Sequence, residues 1–103
     1  MNSTEKERLI LGSIFMTSGI LSGISSDPFL SAFIRRCLDR HSSGDFGLLD
    51  SEDVAVNKTA IENSFGKVVS CYLQDNCDRI WVITDYIERG LSNRTTVLFP
   101  HEY

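Results

Sequence analysis

Hydrophobic and polar residues alternate with two different periods along this sequence, and the change of period predicts helices first and strands afterwards. Residues 28–41 place an apolar side chain at every third or fourth position, which is the period of a helix with one buried face. Asp27 is a typical N-cap and Pro28 fits the first helical turn, so the pattern predicts where this helix begins. The basic residues of its opposite face are Arg35, Arg36 and Arg40.

A second helix is expected from the N-cap Asp50 to about residue 63, and Gly66 is expected to end it. Asn57 interrupts its otherwise apolar face, which also carries Phe65. Because a buried amide needs hydrogen-bond partners, we interpret Asn57 as a structural polar residue that pins the neighbouring loop, residues 42–50. A contact with a ligand is the alternative.

The last third of the sequence has the composition of strands, with β-branched and aromatic residues bounded by polar turns. The expected strands are residues 67–73, 79–85 and 95–99. Their connections, a turn at 75–78 and a polar loop at 88–94, are short, and short connections favour an antiparallel meander.

Two further elements are expected before the first helix: a strand over residues 9–16 and a short helical turn over 20–24. The whole pattern predicts an α+β fold with two layers, in which an antiparallel sheet of three to four strands carries two main helices on one face. We expect one domain over residues 1–103, with a flexible N-terminus over 1–8. Strand 79–85 is apolar on both faces, so its second face needs the N-terminal segment or another protomer, and a homodimer through that face is plausible.

The composition fits a folded domain, since 42% of the 103 residues are hydrophobic and 23% are charged. No apolar run approaches the roughly eighteen residues of a membrane span, and the N-terminus does not resemble a secretory signal. We therefore expect a soluble protein of the cytoplasm. The three cysteines, Cys37, Cys71 and Cys77, are odd in number and form no CxxC pair, which argues against a disulfide framework and a zinc site. We expect no metal and no cofactor.

The net charge of −4 is unevenly placed along the chain. Residues 1–40 carry five basic and four acidic side chains, whereas residues 41–103 carry five basic and ten acidic ones. An acidic surface repels phosphate backbones and attracts basic surfaces, so direct binding to nucleic acid is disfavoured. A basic partner protein, such as one with a nucleic-acid channel, would be attracted.

Several blocks of the sequence resemble the motifs of a known family. Residues 40–47 resemble RHxxGDWG, and residues 52–57 have the spacing of EDxxxN. Residues 70–72, 80–84 and 95–103 resemble SxY, IWIIT and TTVLLPxEY in the same order. As a set, these blocks resemble a widespread family of small proteins carried by bacterial plasmids, integrative elements and prophages. The chain differs from that family in having Phe46 in place of Trp and a longer loop at 86–94.

This resemblance implies a biological context rather than a chemistry. Small proteins of mobile elements are often counter-defence factors, so it implies an inhibitor that binds a host defence protein or protein–nucleic-acid complex of the restriction or CRISPR machinery. The expected contact zone is the acidic second half, with these residues: Asp45, Phe46, Asp50, Glu52 and Asp53.

Two other functions stay open at this point. His41 and Asp45 could form a proton-transfer pair in a small enzyme, although a His in the last turn of a helix and an Asp in a turn also have structural roles. Alternatively, Arg35, Arg36 and Arg40 could hold a phosphate backbone in a nucleic-acid-binding accessory protein.

Overall fold

The computed structural model describes residues 9–74 and 79–103, which form a layer of helices against one sheet. The helices are α1 (Ser18–Ser26), α2 (Pro28–Ser42) and α3 (Ser51–Asn63), and the strands are β1 (Ser13–Met16), β2 (Gly66–Leu73), β3 (Arg79–Tyr86) and β4 (Arg94–Leu98). The α+β class is therefore confirmed. The predictions for the turn at 75–78 with Cys77, and for residues 1–8, lie outside the described residues.

The sheet has the strand order β1-β4-β3-β2. Strands β2, β3 and β4 form the expected antiparallel meander. β1, however, pairs in parallel with β4, so the sheet is mixed rather than purely antiparallel. Three helices and two strands separate β1 from β4 in the chain, and so long a connection leaves the direction of pairing free.

Helix starts agree with the capping residues in the sequence. Asp27 accepts a hydrogen bond from the amide of Phe29 at 3.0 Å, and Asp50 accepts one from the amide of Asp53 at 2.9 Å. α3 ends differently from the prediction, because Ser64 adopts a left-handed conformation (φ 49°) as its C-cap. The chain therefore leaves the helix axis before Phe65, whose side chain is 74% exposed instead of buried.

The main core lies between α1, α2 and one face of the sheet, and it includes Ile20, Ile34, Tyr72, Val82 and Val97. A second cluster forms where α3 meets the same face, around Phe46, Ala60 and Val68. Among the described residues, no helix has the length and the apolar character needed to cross a bilayer.

The opposite face of the sheet, which we call the open face, is apolar at its centre. It carries Val69 and Cys71 on β2, Trp81 and Ile83 on β3, and Phe15 on β1, in the register that the strand pairing sets. Within the described residues, neither core cluster contains a side chain of this face, although Cys71 and Ile83 are buried on it. Residues 9–16, the described part of the N-terminal segment, do not cover the open face, because β1 extends the sheet at its edge and Leu9 packs in the second cluster.

Candidate functional site

His41 is fully buried and belongs to a chain of polar side chains that crosses the core. Its Nδ1 lies 2.6 Å from Ser70 Oγ, and its Nε2 lies 2.9 Å from Thr84 Oγ1. Thr84 Oγ1 lies 2.7 Å from Thr95 Oγ1, which in turn donates to the carbonyl of Leu11 at 2.7 Å. These hydrogen bonds therefore join α2, the strands β2, β3 and β4, and the segment before β1.

The last hydrogen bond of this series, from Thr95 to the Leu11 carbonyl, fixes the direction of all the others. The Thr95 hydroxyl gives its proton to the Leu11 carbonyl, so Thr84 must donate to Thr95 and accept from His41 Nε2–H. His41 Nδ1 is then an acceptor for the Ser70 hydroxyl. One neutral tautomer of His41 therefore satisfies all the groups, and burial lowers the pKa of His41 to about 4.

Asp45 is not a partner of His41, so the proposed acid–base pair is not assembled. Its carboxylate accepts from Arg40 Nε at 2.7 Å and Nη2 at 3.2 Å, and from the amide of Gly47 at 3.2 Å. The Arg40 guanidinium holds the pKa of Asp45 below its usual range. Asp45 thus organises the loop after α2, and the Tyr72 hydroxyl donates to its carbonyl at 2.7 Å.

The three arginines of α2 do not form one free basic patch. Arg40 is paired with Asp45, and its guanidinium lies 4.6 Å from the centre of the Tyr72 ring. Arg36 lies 5.7 Å from the centre of the Phe33 ring, and Arg35 is exposed. Two of the three arginines therefore make contacts within the fold.

Asn57 forms hydrogen bonds with the backbone at the outer edge of β2, rather than holding the loop at 42–50 in place as expected. Its Nδ2 donates to the carbonyl of Val69 at 2.7 Å, and its Oδ1 accepts from the amide of Val69 at 2.9 Å. The amide side chain thus takes the place of a neighbouring strand at that residue. The sequence pattern showed that the side chain is buried, but it could not show which backbone lies beside it.

The loop at 46–48 forms backbone hydrogen bonds with the same edge at Cys71. The amide of Leu48 donates to the Cys71 carbonyl at 2.8 Å, and the amide of Cys71 donates to the Phe46 carbonyl at 3.2 Å. Gly47 has a positive φ of 73°, and a Cβ there would lie 2.0 Å from the Cys71 oxygen. Phe46 itself is buried in the cluster under α3, so it is a core residue and not a surface contact.

A groove of about 880 Å³, which we call the α3 groove, lies where α3 and the loop before it meet the open face. Val69, Cys71 and Trp81 belong to the sheet side of its lining, and Leu48, Leu49, Val56 and Asn57 to the α3 side. Charged side chains complete the lining: Asp50 and Asp53 from the start of α3, and Lys67 and Arg79 from the strands.

Two of the acidic residues expected at a contact zone, Asp50 and Asp53, are thus brought together in the α3 groove, while Glu52 is exposed nearby on α3. The sequence does not single out Trp81, Val56 and Leu48 as functional residues, because their apolar character predicts a core. The sequence signal that could have indicated an apolar surface outside the core was the apolar character of both faces of strand β3. Trp81 is the only tryptophan of the chain, and the Tyr103 ring lies edge-on to it at 5.2 Å.

Within the described residues, no group of three or more His, Cys, Asp or Glu side chains is placed to hold a metal ion. Cys37 and Cys71 are free thiols, and burial raises the pKa of Cys37 to about 12. Comparisons with family models, with curated proteins and with solved structures find no match for this chain. The resemblance to the mobile-element family therefore stays a prediction.

Proposed function

We propose that this protein acts by binding another protein through the α3 groove. The observation that carries the proposal is the position of Trp81 and Val69 in a groove whose other wall bears the exposed side chains of Leu48 and Val56. Tryptophan contributes strongly to binding energy when a partner covers it, because its large apolar surface is then removed from water. A partner that fills this groove would gain that contribution.

The charges at the groove favour a basic partner segment. Asp50 and Asp53 lie side by side at the start of α3, and Lys67 is already paired with Asp85, so among the described lining residues Arg79 alone opposes the charge of the two aspartates. Acidic groups at the rim of a contact steer basic surfaces towards it and suppress acidic ones. We therefore propose a partner segment that inserts an aromatic or aliphatic side chain between α3 and Trp81 and places Lys or Arg beside the two aspartates.

The wider role in this proposal is counter-defence. The resemblance to proteins of plasmids and prophages suggests a host restriction or CRISPR component as the partner, in the cytoplasm of a bacterial host. Such components hold nucleic acid in basic channels. A small acidic protein that occupies one of these channels would compete with the nucleic acid.

The other two hypotheses have weaker support from the geometry. An enzyme that uses His41 would need its imidazole within reach of a substrate, yet the ring is fully buried and both nitrogens are hydrogen-bonded. A nucleic-acid-binding protein would need free arginines, yet Arg40 is paired with Asp45.

Replacing Asp50 and Asp53 with Asn tests the proposal. Asn is as good an N-cap as Asp, so Asp50→Asn removes the charge and leaves the start of α3 intact. Tagged protein expressed in a bacterial host with active restriction and CRISPR systems is purified, and the proteins it captures are identified by mass spectrometry. We expect capture of a defence component and loss of interference, both weakened at least about tenfold in the double variant.

The matched control changes two exposed acidic residues away from the groove, Asp39→Asn with Glu62→Gln, and alters the net charge equally. We expect this control to capture the partner like the unchanged protein. Equal weakening by both double variants, or unchanged interference together with no captured defence component, would contradict the proposal.

A further inference from the structure

The two edges of the sheet differ sharply in how their backbone is covered. Asn57 and the loop at 46–48 satisfy the outer backbone of β2 at Val69 and Cys71. On β1, the amides of Ser13 and Thr17 donate to carbonyls at the β4 side, at 3.1 and 3.2 Å. The alternation along a strand therefore turns the amide and carbonyl groups of Ile14 and Met16 towards the outer edge of β1, which no other strand of the described residues covers and which we call the free edge.

Within the part of the chain that the structure describes, the free edge of β1 also lacks the usual protection against pairing with another strand. Natural proteins place charged side chains or proline on exposed edges. Residues 9–26 contain no Asp, Glu, Lys, Arg or Pro. Apolar side chains are exposed there instead, and Phe15 is 52% exposed although Arg94 lies 5.9 Å from the centre of its ring. The other exposed apolar residues of this segment are Ile10, Ile14 and Leu21.

We propose that the β1 edge pairs with β1 of a second copy of this chain, antiparallel about a two-fold axis at Phe15. In this register Ile14 and Met16 of one copy exchange backbone hydrogen bonds with Met16 and Ile14 of the other. The two Phe15 side chains then face each other on the open face, in a pair without backbone hydrogen bonds, where side chains approach most closely. The two sheets join into one sheet of eight strands.

A second copy fits this edge because the segment is self-complementary. Each side chain of β1 meets an uncharged side chain in the proposed register, so nothing on the edge selects a charged partner. Each copy has a net charge of −4, and β1 itself adds no charge to the contact, although Arg94 lies 5.9 Å from the centre of the Phe15 ring. A two-fold contact also uses up both free edges, so the assembly closes at a dimer.

The proposed dimer does not rest on the function of the α3 groove. β1 and β2 are the outer strands of the sheet, so the interface and the groove lie at opposite edges. The dimer would carry two grooves, both accessible.

Sedimentation analysis of the full chain from low micromolar to near-millimolar concentration tests this inference. We expect the mass to rise with concentration from 11.6 kDa towards twice that value. Phe15→Lys places two like charges opposite each other, so it should weaken association by at least about tenfold. The matched control Phe65→Lys changes another exposed phenylalanine, beyond α3, and should associate like the unchanged protein.

Amide hydrogen exchange locates the interface independently of any variant. The amides of Ile14 and Met16 should become protected as the concentration rises, whereas those of Ser13 and Thr17, already bonded at the β4 side, should be protected throughout. This measurement decides the matter even if Phe15→Lys fails to fold. A monomer at every concentration, or a dimer in which Ile14 and Met16 exchange freely, would overturn the inference. Partner capture by a folded Phe15→Lys variant tests the groove separately.

Discussion

A single buried imidazole, that of His41, connects the helical layer to three strands of the sheet. Its tautomer follows from the direction of the hydrogen bonds, because each hydroxyl of the chain has one proton to give. Protonation of His41 would place a second N–H against the Ser70 hydroxyl and reverse that direction. The structure therefore holds His41 neutral, and burial supplies the energetic reason.

This arrangement predicts that stability falls between neutral and mildly acidic pH. The unfolded chain binds a proton at His41 below about pH 6.5, whereas the folded protein does so only near pH 4, so acid favours unfolding throughout that window. The loss of free energy of unfolding between pH 7 and pH 5 should be about 2 kcal/mol from this residue. Urea unfolding at the two pH values, at constant ionic strength, measures it.

His41→Gln is the control for this prediction. The Gln amide offers one acceptor to Ser70 and one donor to Thr84, yet it does not titrate. The variant should therefore lose most of the difference between pH 7 and pH 5. An equal pH dependence in the variant and the unchanged protein would contradict the account of His41.

At the scale of elements, α3 stabilises the sheet by closing one edge of it. Asn57 supplies both a donor and an acceptor to Val69, and the loop before α3 does the same for Cys71. Together they satisfy the centre of the β2 edge, at Val69 and Cys71, without a fifth strand. The same crossing of α3 past the edge creates the α3 groove, so the groove is a consequence of how the edge is closed.

Replacing Asn57 with Ala should lower the free energy of unfolding by about 2–4 kcal/mol, because the amide and carbonyl of Val69 both lose their partners. Asn63→Ala is a matched control, since Asn63 is exposed and bonds only within α3, to the Thr59 carbonyl. The Asn63→Ala variant should lower the free energy of unfolding by less than about 1 kcal/mol. Urea unfolding gives the free energies, and faster exchange of the Val69 amide should accompany the loss. Equal costs for the two variants would contradict this role of Asn57.

The elements that the sequence predicts well are those with local signals. The start of α2 follows from Asp27 and Pro28, and the meander follows from short connections between β-branched runs. The parallel pairing of β1 could not be predicted, because it depends on contacts across most of the chain. The left-handed Ser64 carries no local signal, so the exposure of Phe65 was also missed.

The residues of the candidate site also divide into those that a local sequence signal predicts and those that depend on long-range contacts. The acidic residues Asp50 and Asp53 follow from charge and capping patterns, which are local. Trp81 and Val56 come together only after α3 has folded against the edge of β2. Apolar residues at such positions look like core in any sequence, and only the three-dimensional structure shows which of them lie at a surface.

At the scale of the whole molecule, the sheet presents two different surfaces at its two edges. The β2 edge bears the groove that contains Trp81, Asp50 and Asp53, whereas the β1 edge, within residues 9–74 and 79–103, is unpaired and its strand is uncharged. The first suits a basic partner of a different kind, and the second suits an identical copy. We propose that the protein acts through the first surface.

Fluorine NMR of protein labelled with fluorotryptophan tests that claim most directly, because Trp81 is the only tryptophan and lies in the α3 groove. Addition of the captured partner should shift or broaden the single resonance, and Asp50→Asn with Asp53→Asn should raise the partner concentration needed. Binding of the partner with an unchanged Trp81 resonance would place the contact elsewhere and contradict the account.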